Sequence, residues 1–184
     1  MATSGRADES GWRVFLEPKF LKSPVTSKIR SAQRTELAAG VLEGKELSVM
    51  SKDAFAALGV DWKAFANRAL QNAAADLALL KPRFERNARN TIEYGALVSE
   101  EPIVAAAVLA PGFLELWKET LGEKVLVIVP NRNTAFVFPP IASDYQGYYP
   151  MIFRAYRETA HPVSVEVFEV SKTGWKCVGV YQEP

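Results

Sequence analysis

Hydrophobic positions along this chain change their spacing several times, and each change marks a new element. The clearest stretch is residues 124–140, KVLVIVPNRNTAFVFPP. Residues 125–129 are an unbroken aliphatic run, too short for a spanning helix and rich in strand formers. Pro130-Asn131-Arg132-Asn133 is a cluster of turn residues, and 134–138 is a second strand-like run that two prolines stop. Both runs are apolar on both faces, which is how strands read in the middle of a covered sheet. This reading puts one basic residue, Arg132, at the sheet's rim.

A helical period governs other segments. After Asp61, the residues Trp62, Phe65, Ala66, Ala69, Leu70, Ala73, Leu77 and Leu80 recur at three and four. Lys63, Asn67, Arg68, Gln71, Asn72 and Asp76 fill the opposite side. Pro82 ends this helix, because the residue before a proline avoids the helical region. Ser51 caps a shorter helix, with Asp53 in its first turn and Gly59 past its end. Val25, Ile29, Ala32, Leu37 and Val41 after Ser23-Pro24 predict a helix over 25–39. Pro111 opens a helix carrying Phe113, Leu114, Trp117 and Leu121, and Pro150 opens one to about residue 159. Strands are expected at 12–16, 45–50 and 91–99, while 103–109 fits either a helix or a buried strand.

The end of the chain reads as a hairpin turning at Lys172-Thr173. Ser171 then faces Gly174, Glu169 meets Lys176, Phe168 meets Cys177, Val167 meets Val178 and Val165 meets Val180. One face is apolar with an opposite-charge pair near the turn. The expected fold is therefore α+β, with an antiparallel or mixed sheet that includes this hairpin and is covered by helices on one face. Residues 1–11, small and polar, read as a mobile arm before a single domain at 12–184.

Composition narrows the function classes. The 22 Lys and Arg against 21 Asp and Glu give a net charge of +1, so nucleic acid is not suggested as a partner. No apolar run reaches the roughly 18 residues of a membrane span, so no membrane partner is expected. The start lacks an apolar signal core, and one cysteine forms no intramolecular disulfide; both agree with a cytoplasmic protein. Lys19, Lys22, Lys28, Arg30 and Arg34 come with no acid until Glu36, either as a solvated face or as a surface for an acidic partner.

Three stretches resemble the YtpQ-like family of uncharacterised bacterial proteins, a domain of unknown function. One is Leu58-Gly59-Val60 with Ala69-Leu70-Gln71-Asn72. Another runs from Gly112-Phe113-Leu114 through Leu121-Gly122 to Val129-Pro130-Asn131-Arg132-Asn133. The last is His161-Pro162-Val163-Ser164 leading to Val167-Phe168. The similarity covers roughly 52–175; Asn133 stands where the family's pattern has an acid. It implies a shared α+β fold and brings no activity, cofactor or catalytic residue.

Chemical motifs are mostly missing. One Cys and one His do not make a zinc site, and the glycine patterns of phosphate loops and nucleophile elbows are not present. No cofactor, metal or catalytic residue is assigned. His161 and Cys177 do not pair as a nucleophile and its base. The hairpin register puts them roughly 23 Å apart at about 3.3 Å per residue, where about 3 Å is needed. The reading is a binding or protein-interaction domain, with Arg132, Asn131, Asn133, Tyr145 and Tyr148 as candidate binding residues. Its partner would be another protein or a second copy in a homodimer. The alternative is a hydrolase-like enzyme with a carboxylate pocket assembled from scattered residues; Glu115 and Glu119, one turn apart on a helix face, are the pair weighed for it.

Overall fold

The structure, a computed structural model, describes residues 8–140 and 145–181, without the side chain of Tyr145. The fold is α+β, and every strand pair in its two sheets is antiparallel. The first sheet joins β1 (Trp12–Pro18), β2 (Thr26–Lys28), β3 (Thr35–Glu43) and β4 (Glu46–Val49). In it β3 pairs with β1 on one side and with β2 and β4 on the other. The second sheet contains β5 (Arg83–Arg86), β6 (Ile92–Val98), β7 (Val125–Asn131), β8 (Thr134–Phe138), β9 (Glu166–Ser171) and β10 (Gly174–Val180). Its spatial order is β10-β9-β7-β8-β6-β5.

The doubly apolar run at 125–129 becomes β7 in the middle of that order, as its composition predicts, and its side chains feed two cores. Val125, Val127 and Val129 point to one face. There they meet Phe15, Leu16, Ala38 and Leu47 of the first sheet together with α3 (Val104–Ala107) and Trp117. Leu126 and Ile128 point the other way, into a core that includes Ile152 of α5 (Tyr149–Arg157). The segment 103–109 thus resolves as a short buried helix. The run after Pro111 makes irregular hydrogen-bonded turns, and only its end is regular helix, α4 (Lys118–Leu121).

Two caps read from the sequence are in place. The Ser51 hydroxyl accepts from the Ala54 N–H at 3.1 Å at the start of α1 (Lys52–Ala57). The Asp61 carboxylate accepts from the Ala64 N–H at 2.7 Å at the start of α2 (Trp62–Leu79). Helix α2 covers the first sheet, not the second: Phe65 and Ala69 pack on Trp12, Val14, Ala39 and Met50. Asp76, placed on its polar side by spacing, is buried and takes both oxygens to Arg13 of β1, at 2.6 and 2.9 Å.

Three further expectations change. The helix over 25–39 is replaced by β2 and β3. Leu37 and Val41, spaced for one helical face, fall instead on β3, which lies close against its neighbours: a Cβ on Gly40 would lie 2.5 Å from both Phe15 and the Ser48 carbonyl. The C-terminal hairpin keeps its expected register from Ser171 opposite Gly174 to Phe168 opposite Cys177. A bulge then moves Gly179 opposite Val167 and Val180 opposite Glu166, and leaves Val178 exposed. Within the expected arm, Glu9–Gly11 form a 3-10 turn bound to α2 by Asn72, whose amide donates to the Glu9 carbonyl at 2.7 Å. Residues 1–7 lie outside the described residues.

Because Val127 is fully buried in a central strand, Val127→Asp is expected to abolish cooperative folding. A thermal melt followed by circular dichroism checks this, and a soluble variant with a sharp transition would contradict the assignment.

Candidate functional site

The turn expected to serve recognition is a structural hub. Arg132 is only 7% exposed. Its guanidinium donates to Glu17 Oε1 at 2.8 Å and to the Leu47 carbonyl at 2.5 Å, and stands 4.9 Å from the centre of the Phe15 ring. It is therefore turned inward onto the first sheet and not presented at a rim. Asn131 is buried too; its amide donates to the Ala155 carbonyl of α5 at 2.7 Å and its oxygen accepts from the Asn133 N–H. Asn133 donates to the Ser99 carbonyl at 3.1 Å. The three residues hold three different parts of the fold and do not converge on a common space.

Tyr148 packs down on Tyr94 and Phe138, and its hydroxyl donates to Glu93 at 2.9 Å. The side chain of Tyr145 lies outside the described residues. Glu115 pairs with Lys118 at 3.6 Å and precedes α4, so it does not share a helix with Glu119. His161 lies in the turn before Pro162, its carbonyl accepting from the Arg132 N–H. Cys177 sits opposite Phe168 as the sequence register implies. Burial, with Glu166 close by, pushes the Cys177 thiol above its ordinary value.

The buried carboxylates are each engaged as ties. Glu17 is 1% exposed, and burial holds its carboxyl above the ordinary range against the opposing pull of Arg132. Glu166 accepts from the N–H groups of Gln33 and Arg34 at 2.7 and 3.1 Å and from the Thr35 hydroxyl at 2.6 Å. With the Thr35 proton directed at Glu166, the 2.6 Å contact between Thr35 and Ser164 requires Ser164 to be the donor. This network fastens the start of β3 to the start of β9.

The corner so fastened carries the strongest candidate site, one that motif reading did not find. A cleft of about 640 Å³ opens between Pro18-Lys19-Phe20, Gln33-Arg34, the Phe153 and Tyr156 side of α5, and a floor of Val163, Ser164, Val165 and Tyr181. Its size falls in the range of small-molecule sites. Among the described residues its lining holds two cations and four aromatic rings and no carboxylate. Lys19 spends one ammonium proton on the Ala32 carbonyl at 2.7 Å, which leaves two donors; Arg34 is exposed and has no side-chain partner among the described residues. The sequence signal was the acid-free basic run from Lys19 to Arg34, but nothing in it pointed to α5 as the opposite wall.

Among the described residues no cluster of His, Cys, Asp and Glu is arranged to hold a metal ion, and no helix is long and apolar enough to cross a membrane. No protein-family model, curated protein or solved structure matches the chain.

Two outcomes follow from these contacts. Arg132→Ala leaves Glu17 buried without its partner and should cost about 3–5 kcal/mol at neutral pH. The Glu17 carboxyl already lies above its ordinary value of 4.5, and losing Arg132 raises it further. Neutralising Glu17 therefore relieves the variant as pH falls through that raised value, so urea unfolding should show a smaller loss at about pH 5 than at neutral pH. A loss under about 1 kcal/mol at neutral pH would free Arg132 for recognition after all. For Cys177, few thiolates exist near neutral pH, so iodoacetamide labelling is expected to be slow and unchanged by His161→Ala. Fast labelling that depends on His161 would contradict this placement.

Proposed function

We propose that the protein is a non-catalytic binding module whose cleft takes a carboxylate or phosphate carried on an apolar body. The observation behind this reading is the pairing of the Arg34 guanidinium, without a side-chain partner among the described residues, with a wall of Phe153 and Tyr156 in a space that no described carboxylate lines. Arginine beside aromatic rings offers forked donors to an oxyanion and a flat apolar surface to whatever bears it. A small aryl or acyl anion meets this chemistry. So does a protein partner whose terminal carboxylate or acidic side chain lies beside an apolar one. The YtpQ-like kinship belongs to the same proposal and adds no activity to it.

The enzyme alternative draws less support, because Glu17, Asp76 and Glu166 are each bound to a separate structural partner. Retaining and inverting hydrolysis both ask for two carboxyl groups facing one substrate bond.

Isothermal titration with phenyl phosphate and with octanoate tests the reading. Saturable binding of either is expected, weakened about tenfold or more by Arg34→Ala, as for loss of a charge-assisted hydrogen bond. Tyr156→Ala should weaken it as well. Indifference to both anions would refute the proposal, and steady release of inorganic phosphate from phenyl phosphate would favour the enzyme.

A further inference from the structure

A short 3-10 turn, Lys19–Leu21, joins β1 to the loop that leads to β2, between Pro18 and Pro24. It holds two of the largest exposed apolar side chains of the described residues, adjacent in sequence: Phe20 is 63% and Leu21 55% exposed. The turn closes on Lys22 in the left-handed region, φ 53°, where its N–H donates to the Lys19 carbonyl at 3.1 Å. Few residues other than glycine and asparagine occupy that region, and here a long exposed cation does. Arg34 is beside the turn, because the Lys19 N–H donates to its carbonyl at 2.8 Å. Two exposed hydrophobic residues therefore stand among Lys19, Lys22 and Arg34. Among the described residues, the neighbouring carboxylates Glu17 and Glu166 are buried and already hydrogen-bonded, to Arg132 and to the 33–35 segment.

We propose that this corner docks the protein reversibly on an anionic lipid surface, with Phe20 and Leu21 entering the interface and Lys19, Lys22 and Arg34 meeting the headgroups. Spanning a bilayer needs a long apolar helix, whereas lying on one needs only a small apolar tip with cations around it. Each cation held near an anionic leaflet strengthens attachment by about fivefold, and the attraction fades within a Debye length of about 10 Å at 0.1 M salt. The charge pattern selects an anionic partner, and the size of the tip selects lipid over protein. A stable protein interface covers about 800 Å² per side around an apolar core from which lysine is depleted. This tip offers two apolar residues with a lysine on each side. A fluid interface accepts such a tip without a complementary pocket. The proposal goes beyond the cleft reading: it shares Lys19, Phe20 and Arg34 with the cleft but adds Leu21 and Lys22, which do not line it.

Flotation of the full chain with vesicles tests it, using phosphatidylcholine alone and phosphatidylcholine mixed with phosphatidylglycerol, at low and high salt. Association with the mixed vesicles only, falling as salt rises, is expected. Leu21→Ser should weaken it about tenfold or more through lost apolar burial, and Lys22→Glu about tenfold or more through a two-unit change of charge. Both side chains are exposed, so both variants should keep the wild-type melt, and Leu21→Ser should keep the wild-type affinity for phenyl phosphate. That last control separates failure here from failure of the cleft. No attachment to the mixed vesicles, or attachment indifferent to both substitutions, would overturn the proposal. Release by free glycerol phosphate at constant ionic strength would overturn it too, by assigning the anion to the cleft. Equal capture on polyglutamate beads with the same dependence on Leu21 would overturn it in favour of an acidic protein.

Discussion

The contact on which the two sheets depend is the buried ion pair between Glu17 at the end of β1 and Arg132 in the turn after β7. Apolar faces alone would hold the layers together, since Phe15, Leu16 and Ala38 share one core with Val127 and Phe168. They would not fix how one sheet is placed on the other, because burial of hydrocarbon is nearly indifferent to a small slide. A guanidinium with one hydrogen bond to Glu17, another to the Leu47 carbonyl and a ring face at Phe15 is satisfied in one arrangement only. Such a pair adds little net stability after desolvation, and its worth here is in specifying geometry. The same device recurs at the other joints. Glu166 holds the 33–35 backbone, and Asp76 holds Arg13 beneath α2. At these three joints a carboxylate supplies the directional contact.

This explains which parts of the fold could be read from the sequence. The strands of β7 and β8, the caps of α1 and α2, and the first half of the terminal hairpin follow from local pattern, and local pattern is what sequence records directly. Where tertiary contact decides, the pattern misleads. Val25, Ile29, Ala32, Leu37 and Val41 are spaced like one face of a helix, yet Leu37 and Val41 lie in β3, which pairs with β1, β2 and β4. Strand β5, with three of its four residues charged, carries no apolar signal except Phe84, which rests on Trp117. Arg132 and Asp76 were read as surface residues because a charge on its own belongs in water. Their partners are 115 and 63 residues away, beyond the reach of any spacing rule.

The candidate site was legible only in part, for the same reason. The basic run beginning at Lys19 is visible in one dimension, whereas the aromatic wall opposite it comes from α5 and its floor from 163–165 and Tyr181. What brings these stretches together is the Glu166 network, which turns the start of β3 against the start of β9. The corner thus combines a rigid frame with an exposed edge: its backbone is fixed from behind by a buried carboxylate, while Arg34, Phe20 and Leu21 face outward. A site assembled in this way places charge without needing a motif.

Native-state hydrogen exchange tests most directly the claim that charged ties make one body of two sheets. Amides of Leu37 and Ala39 in β3 should open with the same free energy as those of Val127 and Phe168 in β7 and β9, close to that of global unfolding. A distinctly lower value for the β3 amides would mean that the first sheet opens alone, and that the Glu17–Arg132 contact does not hold the structure together.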